Sequence, residues 1–182
     1  MSNINLNFDM VIPNNNEEEF IERAIALGYT EIIFLSMNIN YAKPVTEIIN
    51  IKTAYLLKDV SEITPARKRF DYVCAKPERK YFESKVDFIL DSELSDRKDN
   101  FHYKSTGLNQ VHAGLIKEND IRLVISFNNL FLDVCNVLGK LFQNAILIKK
   151  YKLNHSTFSV ATRPELMRSR CILTALETVL GL

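Results

Sequence analysis

Apolar residues recur along this chain at two alternating spacings. Over residues 5–12, Leu6, Phe8, Met10 and Ile12 fall on one face and Val11 on the other, the period of a strand. Pro13 and an Asn run end it. Asn16 stands where an N-cap is wanted, three glutamates follow in the first turn, and Phe20, Ala24 and Leu27 repeat at helical spacing up to Gly28. The run at 32–35 is short and apolar throughout, as in a strand buried on both faces. The same alternation continues with strands predicted at 48–57, 70–75, 86–90, 121–127 and 157–161. Helices are predicted at 78–84 after Pro77, at 107–119, and from a cap at Asn128 or Asn129 along the stripe Leu130, Val134, Leu138, Leu141, Ala145 and Ile148. A last helix opens with Pro164 at its first position and turns Leu166, Leu173, Leu176 and Leu180 inward. Residues 91–105 read as a long polar loop.

Apolar strands alternating with amphipathic helices imply a parallel sheet covered by helices. Seven such strands predict an α/β fold of the TIM-barrel-like class, one parallel β/α barrel domain over residues 1–182. It is short beside the ~250 residues usual for that class. Its closure stays open between an incompletely closed sheet and an eighth strand within 37–48. At 47% hydrophobic and 25% charged, the composition is that of an ordinary globular domain. No apolar run reaches membrane-spanning length, and the N-terminus lacks the cationic lead and apolar core of a signal peptide. Cys74, Cys135 and Cys171 stand apart in apolar surroundings, which predicts small buried thiols in a reducing, cytoplasmic setting and no zinc site.

Charge changes the picture more than composition does. A net charge of +1 conceals −5 over residues 1–48 and +6 over residues 140–170. Concentrated positive charge on ordered elements is the footprint of a phosphate-rich partner, although a solvated charged face is the commoner cause. Lys149, Lys150 and Lys152 end the long helix, where the dipole alone favours cations. Arg163 follows a buried strand at the barrel rim, and Arg168 falls in the first turns of the last helix, where the dipole disfavours it. Catalytic signatures are scarce: there is no phosphate-cradling glycine loop, no nucleophile elbow and no paired-histidine metal motif. His102, His112 and His155 are scattered. Asp9, Asp91 and Glu93 could serve a metal-dependent phosphoesterase, but surface carboxylates are the commoner reading. Gly107, Asn109 and Gln110 precede or open a helix, with capping by Ser105 or Thr106 the locally sufficient explanation.

The segment GLNQVHAGLIKENDIRLVISFNNLF, followed by QNAILIKKYKLNHSTFSVATRPELMRSRCILTALETVLGL, resembles the protein component 3 family of ribonuclease P. That is the thirty-kilodalton subunit shared with eukaryotic ribonuclease P and MRP. FDYVCAKPERKYFESKVDFILDSE is similar to the strand–helix–strand that precedes it in the family. The resemblance implies a barrel related to a phosphoesterase superfamily but lacking its metal site. It implies a subunit of a ribonucleoprotein endonuclease that removes the 5′ leader from precursor tRNA. Catalysis would belong to the RNA and its magnesium, with no cofactor held by this chain. The chain would bind the catalytic RNA, meet precursor tRNA indirectly, and join other protein subunits, two pairs forming a heterotetramer. Carried onto this sequence, the family's glycine–asparagine motif falls on Gly107, Asn109 and Gln110, as a supporting loop. Its basic helix end falls on Lys149 and Lys150, and its Ala-then-Leu-Arg motif on Ala161, Leu166 and Arg168. Met167 is inserted, and Ser159-Val160-Ala161 replaces the usual Ser-Gly-Ala. With Lys76, Lys152, Arg163 and Arg170, these cations are the RNA-binding candidates. A metal-dependent phosphoesterase and a protein-only interaction module are the alternatives.

Overall fold

The computed structural model describes residues 7–94 and 105–182. Leu6 and His102, with most of the polar loop expected at 91–105, lie outside them. Seven strands pair in parallel and in chain order: β1 (Phe8–Val11), β2 (Glu31–Ser36), β3 (Asn50–Leu56), β4 (Tyr72–Ala75), β5 (Phe88–Ile89), β6 (Arg122–Ser126) and β7 (His155–Phe158). Six helices connect or follow them: α1 (Glu17–Ala26), α2 (Ile63–Arg67), α3 (Arg79–Phe82), α4 (Gln110–Glu118), α5 (Val134–Tyr151) and α6 (Arg170–Leu180). The strands curl into a nearly closed barrel.

Alternation along each strand divides the core in two. Met10, Ile33, Leu35, Ala54, Cys74, Phe88, Val124 and Phe158 fill the barrel. Phe158 stacks at 5.3 Å from Phe8 and at 6.2 Å from Phe88, so aromatic rings span the interior. The intervening residues, such as Val11, Ile32 and Phe34 on one side and Leu123 and Ile125 on another, pack outward against the helices.

The seam between β7 and β1 is where the barrel fails to seal. One bridge, Val11 to Ala161, joins the two edges. Its hydrogen bonds run from Ile12 N–H to Ala161 O (2.8 Å) and from Val160 N–H to Met10 O (2.9 Å). A side chain extends this short ladder: Asp9 Oδ1 accepts from Ser159 N–H (2.7 Å) and from Met10 N–H (2.9 Å). Val160 holds φ +48, a left-handed conformation that a β-branched residue adopts only under tertiary constraint. A glycine, as in the family resembled, would adopt it without strain.

Several expectations are corrected. Residues 37–49 form an irregular segment and not an eighth strand; Tyr41 anchors it by packing on the core and donating to Glu17 Oε1 (3.0 Å). The long helix starts at Val134, capped by Asp133, whose carboxylate accepts from Asn136 N–H (3.1 Å). Residues Phe127–Phe131 form a 3-10 turn, which frees Asn128 and Asn129 from capping. Val134 is consequently exposed while Val137 is buried. Pro164 opens only a 3-10 turn, Pro164–Leu166; the chain is then extended until α6 begins at Arg170. Helix α2 is five residues long and contains Pro65, too short to show a period. Cys74 is buried, but Cys135 and Cys171 are exposed on the first turns of α5 and α6.

Candidate nucleic-acid interface

A parallel barrel has two unlike mouths. Each connecting helix ends where the next strand begins, so helix C-termini gather at the N-terminal mouth and post-strand loops at the other. This topology separates the sequence-predicted cations. Lys149 and Lys150, in the last turn of α5, and Lys152, its C-cap, lie exposed at the N-terminal mouth. Lys149 Nζ sits against Gly181 at the end of α6, so close that a Cβ on Gly181 would stand 2.7 Å from it. Lys150 Nζ lies 5.5 Å from the Tyr151 ring. Lys76 follows β4 and Arg163 follows β7, both exposed at the C-terminal mouth.

Arg168 and Arg170 are held by the protein. Arg168 lies in the extended link before α6, not within its first turns, and its N–H donates to Ser159 Oγ (2.8 Å). Its guanidinium donates to Glu165 O (3.0 Å) and Met167 O (3.3 Å), and lies 5.7 and 5.6 Å from the rings of Phe127 and Phe131. Arg170 occupies the first position of α6 and so carries the charge opposed by the helix dipole. Glu177 compensates it with two bonds from Nη2 (3.1 and 3.2 Å), while Nη1 donates to Thr157 O (3.2 Å). The side chains of this pair are 29% and 16% exposed.

At the C-terminal mouth, Gly107 N–H donates to Ser92 O (2.8 Å), and a Cβ there would meet the Pro77 ring at 2.7 Å. Asn109 itself caps α4, accepting from His112 N–H (2.8 Å), so the cap expected of Ser105 or Thr106 belongs to the motif residue. Thr106 Oγ1 instead accepts from Leu108 N–H (3.1 Å). Gln110 is exposed. Beside this loop lies a polar cluster that the sequence did not reveal. The Asn129 amide donates to Asp91 Oδ1 (3.0 Å) and Glu93 Oε1 (2.9 Å); Ser92 donates to Glu93 Oε2 (3.3 Å) and accepts from Asn144 Nδ2 (2.9 Å). Asn128 Nδ2 ties the same turn to Ser159 O (2.8 Å). The Asn-Asn pair directly after a strand was the available signal, and it reads equally as a helix cap.

Glu93 and Asp9 are fully buried, not surface carboxylates. Burial raises Glu93 to about 7 against the Asn129 bond, and raises Asp9 to about 6 against its bonds to Ser159. They belong to the loop after β5 and to β1, strands that are not neighbours in the sheet, and no hydrogen bond joins them. Among the described residues, no group of three or more His, Cys, Asp or Glu is placed to hold a metal ion. No helix of those residues is long and apolar enough to cross a membrane.

Fold and site together define a parallel β/α barrel with exposed cations at both mouths and two buried acids, Asp9 and Glu93. No family model matches the chain, and no curated protein matches it. Among solved structures, a chain of the cryo-EM structure of archaeal ribonuclease P with mature tRNA superposes with a TM-score of 0.74 at 14% identity, over 94% of this chain and 82% of that one. At that identity the likeness is one of fold. A crystal structure of an uncharacterized protein superposes over 92% of this chain and 44% of its own, with a TM-score of 0.44 at 14% identity, too loose to carry an argument.

Proposed function

We propose that this chain is a protein subunit of a ribonuclease P ribonucleoprotein, which removes the 5′ leader from precursor tRNA. The observation that carries this reading is the superposition of 94% of this chain on 82% of a chain of archaeal ribonuclease P. The exposed cations support it: Lys76, Lys149, Lys150, Lys152 and Arg163 make no ion pair with any described acid and are free to contact phosphates. Arg168 and Arg170 act differently, fixing the link that follows the seam. Cleavage belongs to the RNA and its magnesium ions. This chain steadies the RNA fold and joins a partner protein subunit, two such pairs making a heterotetramer. The outward face of α5 and α6 supports a protein partner, since Phe142, Ile146, Ile172 and Val179 stand exposed there.

The test is reconstitution. Purified alone in magnesium, the chain leaves precursor tRNA uncut; added with its partner subunits to the catalytic RNA, it raises the cleavage rate. Cleavage by the lone chain would move catalysis to the protein and favour a phosphoesterase. Absence of any effect on the RNA, with partner binding intact, would leave a protein-only module.

A further inference from the structure

We infer that the N-terminal mouth of the barrel is a surface for the phosphate backbone of double-helical RNA, formed by Lys68, Lys85, Lys117, Lys149, Lys150 and Lys152. The inference rests on the subunit reading and assigns it a face. Because the strands lie in chain order, the segments entering β4, β5, β6 and β7 are neighbours around one rim. Lys68 caps the end of α2, Lys85 lies in the turn before β5, Lys117 in the last turn of α4, and the other three end α5. Hydrogen bonds tie these turns sideways into one surface. Arg67 donates to Lys85 O (2.7 Å), Asn119 Nδ2 to Phe82 O (2.9 Å), and Asn154 Nδ2 to Asp120 Oδ1 (2.6 Å).

None of the six ammonium groups is paired with an acid among the described residues; of the nearby acids, Glu118 is exposed beside Lys117 and three others are engaged. Asp87 is held by Arg67 (3.2 Å), Asp71 by Lys43 and Lys52 (3.7 and 3.6 Å), and Asp120 by Asn154. At the opposite mouth the cations are mixed: Lys80 is bound to Glu78 and Arg79 to Glu83, while Lys76 and Arg163 are unpaired with described acids. The helix dipole accounts for Lys117, Lys149 and Lys150. It does not account for Lys85, which lies outside any helix. At Lys152, the C-cap of α5, the dipole also favours a cation, but the residue holds φ +53 in the left-handed region where glycine belongs. A lysine kept at a position that costs backbone strain points to a use for its charge.

The ligand class follows from what accompanies the cations. Single-stranded nucleic acid is held by stacking bases on aromatic rings. Along the part of this rim that enters β4 to β7 no described Phe or Tyr ring is fully exposed: Tyr151 is half-buried and covered by Lys150, and Tyr72, at the start of β4, is half-buried against Phe88. Unpaired cations spread across neighbouring helix ends, with no fully exposed ring among them, suit a continuous polyanion read by its backbone.

The probe is a fluorescein-labelled RNA duplex of about two helical turns, followed by anisotropy over a KCl series with the full chain. Replacing Lys68, Lys85 and Lys117 by alanine should lower the salt slope by roughly three and weaken binding roughly tenfold or more at moderate salt. Lys152→Gly should weaken binding while raising Tm by roughly 2 °C, because relieved backbone strain and lost charge act in opposite directions. A lysine retained only to end the helix would leave affinity unchanged. Unaltered affinity and slope in both variants, with the loss appearing instead in Lys76→Ala/Arg163→Ala, would overturn the inference and leave the subunit reading standing. Wild-type chain that ignores the duplex also overturns it, and the subunit reading falls as well if reconstitution fails. Loss of a protein contact in the triple variant without loss of RNA binding would assign the rim to an acidic protein and overturn the proposal.

Discussion

Asp9 at the seam makes a quantitative prediction. Its carboxyl is wholly buried, with Oδ1 accepting two backbone N–H groups and Oδ2 left without a partner. Burial outweighs those bonds and the attraction of Arg170, raising the group from 3.8 to about 6. The folded chain therefore binds more protons here than the unfolded chain between those two values. Its contribution to stability is fully present below pH 3.8 and is lost as pH rises through about 6. At about 1.4 kcal/mol for each pH step, the loss amounts to about 3 kcal/mol. In a chain of this size that corresponds to roughly 6–12 °C in Tm. Asp9→Asn keeps the acceptor oxygen and removes the titration. Urea unfolding from acid to neutral pH should thus show a wild-type-minus-variant difference that declines by about 3 kcal/mol and then levels above the shifted value. Amide exchange at Ser159 and Val160 should quicken over the same range in wild type and stay level in the variant. A difference that is flat with pH would refute the reasoning, and would mean that the seam admits enough water to solvate the carboxylate.

Four further outcomes follow from particular residues. Gly107→Ala should destabilise the fold by about 1–3 kcal/mol in urea melts, since the new methyl meets the Pro77 ring. Arg170→Ala should cost about 1–3 kcal/mol by stranding Glu177, while leaving RNA affinity and its salt slope unchanged. Glu93→Gln should flatten the part of the stability profile between the ordinary carboxylate range and about 7, because Glu93, like Asp9, stabilises when protonated and loses that contribution as pH rises. Phe142→Glu with Ile146→Glu should abolish co-purification with the partner subunit without lowering Tm, because both side chains already face solvent.

Period and punctuation carried most of the architecture. Seven apolar runs and the helices between most of them appear near where spacing and turn residues place them, although β7, expected at 157–161, is His155–Phe158; runs buried on both faces agree with the parallel sheet observed. Element ends were less legible. Asn128, Asn129 and Pro164 carry signals that suit a helix start, yet the sheet uses the asparagines to tie loops together and stops Pro164 at one 3-10 turn. A local signal states what a residue can do next to its neighbours; it does not state which distant group competes for the same side chain.

The candidate site divides along the same line. The sequence alone determined the excess of positive charge near the carboxy end and the scarcity of catalytic motifs, because both are sums over residues that need no coordinates. Only the tertiary structure decided which of those charges is available. Glu177 reaches Arg170 across two turns of α6, two aromatic rings flank Arg168, and the lysines of α5 lie at the opposite mouth from Arg163. It also decided that Asp9 and Glu93 are internal. Charge is a property of a residue, but exposure and pairing are properties of the folded chain, and a parallel barrel sends each helix end and each strand end to opposite faces.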